Sequence, residues 1–161
     1  VQRSKSLYLT GMIWGIIVIL ALLDQGIKEW ILANIARGDR WPIVGEWLSI
    51  RLAFNSGAAF SLGSSATWLF TLIKTVVLIG ILVFSFRVNT VWVGIVLGLV
   101  GGGTLGNLID RLIRPPGFFF GHVVDYISVS RFAVFNFADA CLTIGIAIYV
   151  VRSLLAERSA Q

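Results

Sequence analysis

The chain has 161 residues, 57% of them hydrophobic before its 17 glycines are counted and only 13% charged, whereas soluble domains run at ~45–50% apolar with glycine included. With a mean hydropathy of +0.89 and a mass of 17.6 kDa, residues 1–161 read as one membrane-embedded domain, and a water-soluble enzyme is excluded. The net charge of +5 comes from 13 basic residues scattered along the chain, which suits membrane flanks in contact with lipid; no nucleic-acid partner is expected. Cys141 and His122 are the single cysteine and histidine, too few for an internal disulfide or a Cys/His metal cluster. No metal and no cofactor are expected.

Four segments are long and apolar enough to span a hydrocarbon core as helices: residues 7–23, 68–86, 90–109 and 132–155. The fold class predicted is an all-α membrane protein with a small β element, a four-transmembrane-helix bundle. The first span is followed by Asp24 and Gln25 rather than by a small-x-small cleavage site, so it reads as a retained anchor and not as a removed signal peptide. The first connection, residues 24–67, holds Ile43, Trp47, Leu48, Ile50, Leu52 and Phe54, and the apolar alternation from Leu48 to Phe54 predicts a strand in a small sheet on the membrane surface. Lys74, inside the second span, is expected to snorkel toward an interface. Gly94, Gly98, Gly102 and Gly106 recur every fourth residue in the third span, which predicts close approach of a neighbouring helix. The third connection, residues 110–131, carries the run GFFFG from Gly117 to Gly121, expected to touch lipid at headgroup level.

The first and third connections lie on the same side of the membrane, which gathers seven of the eight acids there (Asp24, Glu29, Asp39, Glu46, Asp110, Asp125 and Asp139) and leaves only Glu157 opposite. Lys and Arg number five on the side of the termini and seven in the large connections, against a plain positive-inside count. Arg3 and Lys5 nevertheless precede the first helix without neighbouring acids, and the first helix usually dominates. Both termini are therefore placed in the cytoplasm and the acids near the outer face.

Charged groups at membrane depth are costly, so the acids at helix ends require an account. Asn136 and Asp139 stand at the spacing of an N-cap and N3 pair, where the helix dipole favours an ionised carboxylate; simple capping is the competing reading. Asp125 lies in an alternating stretch in which Val123, Ile127 and Val129 would share its face. Desolvation and a second nearby carboxylate both raise a carboxyl pKa, and one proton shared between two acids is what aspartic proteolysis uses to activate water. There is no HExxH and no GxSxG, and Ser56 has only the distant His122 as an imidazole. A Ser/Lys pair using Lys28 or Lys74 stays open. Asp24 with Lys28, and Asp110 with Arg111, read as ion pairs that anchor helix ends, with Asn107 one turn earlier placed to orient a side chain or a substrate.

The ordered motifs LDQxxK (23–28), FNSGAAFS (54–61), GNLIDR (106–111), GHVVDYI (121–127) and FNFADA (135–140) resemble those of the bacterial lipoprotein signal peptidase family, signal peptidase II. The resemblance implies an aspartic peptidase of the inner membrane that removes signal peptides from diacylglyceryl-modified prolipoproteins, cutting just before the lipidated cysteine. It implies Asp125 and Asp139 as the catalytic dyad, with Asp24, Asn55, Asn107, Asp110, Arg111 and Asn136 supporting the dyad or contacting substrate. It also implies an extracytoplasmic β-cradle over the bundle and inhibition by the cyclic peptide globomycin. The mechanism expected has Asp139 take a proton from water while Asp125 donates one, with the reverse assignment open. The alternatives are a small proton-coupled transporter and a non-enzymatic lipoprotein-binding factor.

Overall fold

The computed structural model of the chain describes residues 2–57 and 66–159. They form four helices, α1 (Gln2–Asn34), α2 (Thr67–Ser85), α3 (Val91–Ile113) and α4 (Phe137–Ser159), and three strands, β1 (Trp41–Val44), β2 (Leu48–Asn55) and β3 (Val123–Val129). Each helix contains a stretch long and apolar enough to cross a membrane, and the chain is a multi-pass membrane protein built mainly of helices. The last four residues of FNSGAAFS, Ala58 to Ser61, lie outside the described residues.

α3 is the central helix, with α1 and α4 packed along it and α2 on a further side. Its glycines explain why. A Cβ on Gly94, Gly98, Gly102 or Gly106 would fall 2.6–2.7 Å from a side-chain atom of Met12, Ile16, Leu20 or Asp24 respectively. The two four-residue ladders advance together, so α1 and α3 run parallel in one fixed register, as the spacing in the third span predicts. A second glycine face was not read from the sequence: a Cβ on Gly103 would collide with the Ala138 carbonyl of α4, which crosses α3 antiparallel.

At the end of the bundle that carries the sheet, three helix limits differ from the expected spans. α1 continues past residue 23 to Asn34, because Asp24 and Lys28 neutralise each other one turn apart at 2.6 Å and the turns beyond them pack on the sheet rather than in water. Ile31 and Ile35 share a core there with Val124 and Tyr126 of β3. At about 1.5 Å per residue a 33-residue helix measures roughly 50 Å, well over the ~30 Å of hydrocarbon. α3 continues to Ile113 and stops where Arg114 turns extended (φ −88°, ψ 161°) ahead of Pro115, since the residue before a proline disfavours the helical region. α4 starts at Phe137 rather than residue 132, because Phe135 bridges to Ile127 of β3 and Asn136 serves as the cap.

The sheet has the order β1-β2-β3 and is antiparallel throughout. β2 covers the alternating stretch the sequence singles out, with Ile50, Leu52 and Phe54 packed on the core under the sheet. In its pairing with β3, Ala53 stands opposite Asp125 and Asn55 opposite Val123. In the connection from α3 to β3, Phe118 and Phe120 of the aromatic loop are exposed, and Thr71 of α2 donates to the Phe119 carbonyl at 2.8 Å.

The tie between α1 and α3 is ionic as well as steric. The buried Lys28 Nζ lies 2.6 Å from Asp24, 2.8 Å from Asp110 and 3.0 Å from Asn107 Oδ1, which uses all three ammonium donors. Removing one partner of a buried pair costs about 3–5 kcal/mol by stranding the others. Lys28→Met is therefore expected to lower the unfolding temperature in detergent strongly. Gly103→Ala is expected to destabilise by about 1–3 kcal/mol through overpacking against the α4 backbone. Gly15→Ala, where an added Cβ meets nothing within 4 Å, is expected to be neutral or stabilising in the same thermal assay.

Candidate active site

The parallel run of α1 and α3 and the antiparallel return of α4 bring the C-terminal half of α1, the end of α3 and the start of α4 to one end of the bundle, under the sheet. Asp24, Asn107, Asp110, Arg111, Asp125 and Asn136 are all buried there, Asp125 with only 2% of its surface exposed. Asn55, at the end of β2, is exposed, and Asp139 is half-buried. The structure thus brings together the eight residues the sequence selects.

Asp125 and Asp139 come from different elements and are held by amides. Asn136 donates from Nδ2 to Asp125 Oδ1 at 2.7 Å, and Asn55 donates to Asp125 Oδ2 at 3.0 Å. Asn107 donates to Asp139 Oδ1 at 2.7 Å. Asn136 also accepts from the Asp139 backbone N–H at 2.9 Å, while its own N–H donates to Asp139 Oδ2 at 3.3 Å. The capping reading and the paired-acid reading are therefore compatible: one asparagine caps α4 through its oxygen and serves Asp125 through its nitrogen.

The amide orientations follow from their partners. Lys28 can only donate, so the Asn107 atom facing it is the oxygen, which leaves the Asn107 nitrogen for Asp139. That oxygen also accepts from Asn136 at 3.0 Å. A continuous chain runs from Lys28 through Asn107 and Asn136 to both carboxyls. Asp24 extends it to the other side of α4 by accepting from the Ala138 N–H at 3.1 Å.

The expected pairing of Asp110 with Arg111 is not formed. Consecutive helical residues point about 100° apart, whereas residues four apart are neighbours, and Asp110 pairs instead with Arg114 at 2.7 Å and with Lys28. Its Oδ2 also accepts from the Val124 N–H at 3.1 Å, fastening β3 to α3. Arg111 donates from Nη1 to the carbonyls of Asn55 and Gly121, each at 3.0 Å. It joins the end of β2 to the loop before β3. Gln25, Glu29 and Arg114 were missed as parts of this network: Arg114 bridges Asp110 and Glu29, and Gln25 donates to Asp110. The i, i+4 spacing of Asp110 and Arg114 was the available signal.

Lys28, with all three donors committed to acceptors, has no lone pair to offer as a base, which removes it from a Ser/Lys arrangement. Lys74 faces inward rather than outward, on the same stripe of α2 as the buried Thr67, Thr71, Ile81 and Ser85. Burial, with the Arg111 and Arg37 charges adding to it, holds the His122 imidazole below its ordinary pKa. Among the described residues no three of His, Cys, Asp and Glu are grouped to hold a metal ion.

Burial, and secondarily the charge of Asp139, pushes the Asp125 carboxyl up to about 6, against the opposing hydrogen bonds from Asn55 and Asn136. Asp139 lies on the wall of a groove of about 520 Å³, among Phe132, Phe135, Ala140, Thr143 and Ile144. The two acids thus differ in setting: one is enclosed, the other opens onto an apolar channel at the start of α4.

Known proteins resemble this chain in sequence and fold. The family described as signal peptidase (SPase) II matches residues 16–155. A lipoprotein signal peptidase of Rhodococcus jostii (strain RHA1) is 41% identical over 154 residues, covering 96% of this chain and 75% of that protein. One from Streptomyces coelicolor is 36% identical over 152 residues, covering 94% of this chain and 74% of that protein. Among solved structures, a bacterial membrane enzyme determined by the in meso method at 1.9 Å resolution superposes with a TM-score of 0.78 at 29% identity, covering 89% of this chain and 93% of that one. A second, at 2.3 Å, gives a TM-score of 0.79 over 94% of this chain and 92% of that one, also at 29% identity. The chain, a membrane peptidase, belongs to the signal peptidase II family.

Proposed function

We propose that this protein is an intramembrane aspartic endopeptidase that removes signal peptides from diacylglyceryl-modified prolipoproteins, cutting just before the lipidated cysteine. The observation that carries the reading is the pair of acids, Asp125 and Asp139, linked through Asn136, with Asp139 on the wall of an apolar groove. Relatives named lipoprotein signal peptidase support the substrate class.

We assign the two roles from the unlike settings of the acids. The enclosed Asp125 keeps the shared proton, and Asp139, beside the groove and at the positive end of α4, is the carboxylate. Asp139 removes a proton from water, whose oxygen adds to the scissile carbonyl carbon while Asp125 gives its proton to the carbonyl oxygen. Collapse of the tetrahedral species breaks the C–N bond as Asp139 passes its proton to the leaving nitrogen and Asp125 recovers a proton from one of the two hydroxyls. The products are a signal peptide ending in a carboxyl group and a lipoprotein beginning with the modified cysteine. Asn55 and Asn136 orient Asp125, Asn107 orients Asp139, and Arg111 holds the substrate-side loops. Asp24 and Asp110, with Lys28, keep α1, α3 and β3 in register beneath them.

The site end of the bundle faces outward in this reading, with both termini in the cytoplasm and the enzyme in the inner membrane of a bacterium. The sheet then forms an extracytoplasmic cradle, the lipid chains of the substrate stay in the bilayer, and a globomycin-type cyclic peptide would compete for the groove.

The test is cleavage of a diacylglyceryl-modified prolipoprotein by the detergent-purified enzyme. Asp125→Asn and Asp139→Asn are each expected to lose activity by a factor of about 10² or more while retaining a cooperative unfolding transition; full activity in either overturns the dyad. Stability gives an independent readout of the raised Asp125. An unfolded carboxyl titrates near 3.9 and this one near 6, so the folded chain binds the extra proton between those values. Its stabilising contribution is complete below about pH 4 and is lost as pH rises through about 6. Wild type is expected to lose unfolding temperature over that interval relative to Asp125→Asn, in melts recorded from pH 4 to 8.

A further inference from the structure

Lys74 has no place in the network described above. It sits seven residues into α2, about 10 Å along the axis from the helix start, one turn below Thr71. Thr67 and Thr71 precede it on the same face, and Leu78, Ile81 and Ser85 follow, at the alternating three- and four-residue spacing of a helix stripe turned to its neighbours. Its side chain is half-buried, and no hydrogen bond or ion pair joins it to another described residue. An ammonium with no counterion bonded to it among the described residues, turned inward at membrane depth, is costly to keep.

The stripe that carries it is fastened to the site end of the bundle, Thr71 donating to the Phe119 carbonyl and Thr67 to the Ser56 carbonyl, next to the Asn55 that donates to Asp125, and the charges acting on it are Asp139 of α4, Arg111 of α3, Lys28 of α1 and Asp125 of β3. Lys28 is already neutralised by Asp24 and Asp110, and Arg111 is committed to two backbone carbonyls. Asp125 and Asp139, by contrast, receive hydrogen bonds only from neutral amides. α2 and α4 each pack on α3 and little on each other, so the field between Lys74 and Asp139 acts across the space separating the two helices. A substrate filling that space excludes water and strengthens the field.

We propose that Lys74 is the counter-charge of the singly ionised dyad, a positioning residue that acts through space and sets the pH range over which Asp125 and Asp139 share one proton. The inference rests on the dyad reading. A cation near two coupled acids eases both of their ionisations, so its removal moves both limbs of the pH profile to higher pH.

The experiment compares kcat/KM from pH 5 to 9 for wild type, Lys74→Met and Lys74→Arg, with Lys74→Gln in place of the Met variant if the latter does not unfold cooperatively. Loss of the charge is expected to shift both limbs up by about half a unit or more, lowering activity at pH 6 relative to pH 8, and the arginine variant is expected to restore the wild-type limbs. A charge-free variant whose limbs coincide with wild type overturns the inference, whether its rate falls uniformly or only its KM rises. Asp125→Asn and Asp139→Asn in the same series separate the two failures. If they are active, the dyad reading fails; if they are inactive while the Lys74 profile is unmoved, only the counter-charge fails.

Discussion

The ammonium of Lys28, taken out of water and set among Asp24, Asp110 and Asn107, is the contact through which the rest of the site is arranged. Its charge allows two carboxylates to remain buried at helix positions facing one another, and those carboxylates then hold backbone. Asp24 receives the Ala138 N–H at the start of α4, and Asp110 receives the Val124 N–H in β3. A single ion cluster thus fastens three helices and the sheet, with Asp139 one hydrogen bond beyond Asn107 and Asp125 two. All three Lys28 protons are used and both carboxylates accept further hydrogen bonds, which offsets part of the desolvation cost that makes most buried ion pairs poor stabilisers.

Steric fit makes that cluster possible. Lys28 reaches Asn107 and Asp110 because α1 lies against the glycine ladder of α3, and Gly106 in particular leaves room for the Asp24 carboxyl. Gly103 does the same for the α4 backbone, setting Asp139 within reach of Asn107. In lipid there is no hydrophobic drive between helices, so close backbone approach and polar contacts carry the association. Packing and electrostatics here are two parts of one register.

The hydrogen-bond chain then treats the two acids unequally. Asp125 is enclosed by the sheet and receives two side-chain amides, while Asp139 shares its carboxyl between an amide and the α4 backbone and borders the apolar groove. Burial on one side and a helix terminus on the other set the two carboxyls apart, and among the described residues no charged side chain is hydrogen-bonded to either. The chemistry proposed for the site needs that separation.

Much of this was legible in the chain. Helix number, the shared side of the large connections, the β2 alternation and the small-residue face of α3 depend on local periodicity and on the length needed to cross a bilayer, and these are properties of short stretches. The helix limits were not, because α1 continues through charged residues that only α3 neutralises, and the start of α4 depends on Phe135 pairing with β3. Arg111 and Arg114 show the same division: both are basic and adjacent to the acid, but helical geometry and the positions of Asn55, Gly121 and Glu29 decide which one pairs. The sequence by itself determined the membrane fold, the inventory of polar groups and the end of the bundle at which they gather. Which amide serves which carboxyl, which acid is enclosed, and where Lys74 turns were decided only by the tertiary structure, since each depends on atoms brought together from segments dozens of residues apart.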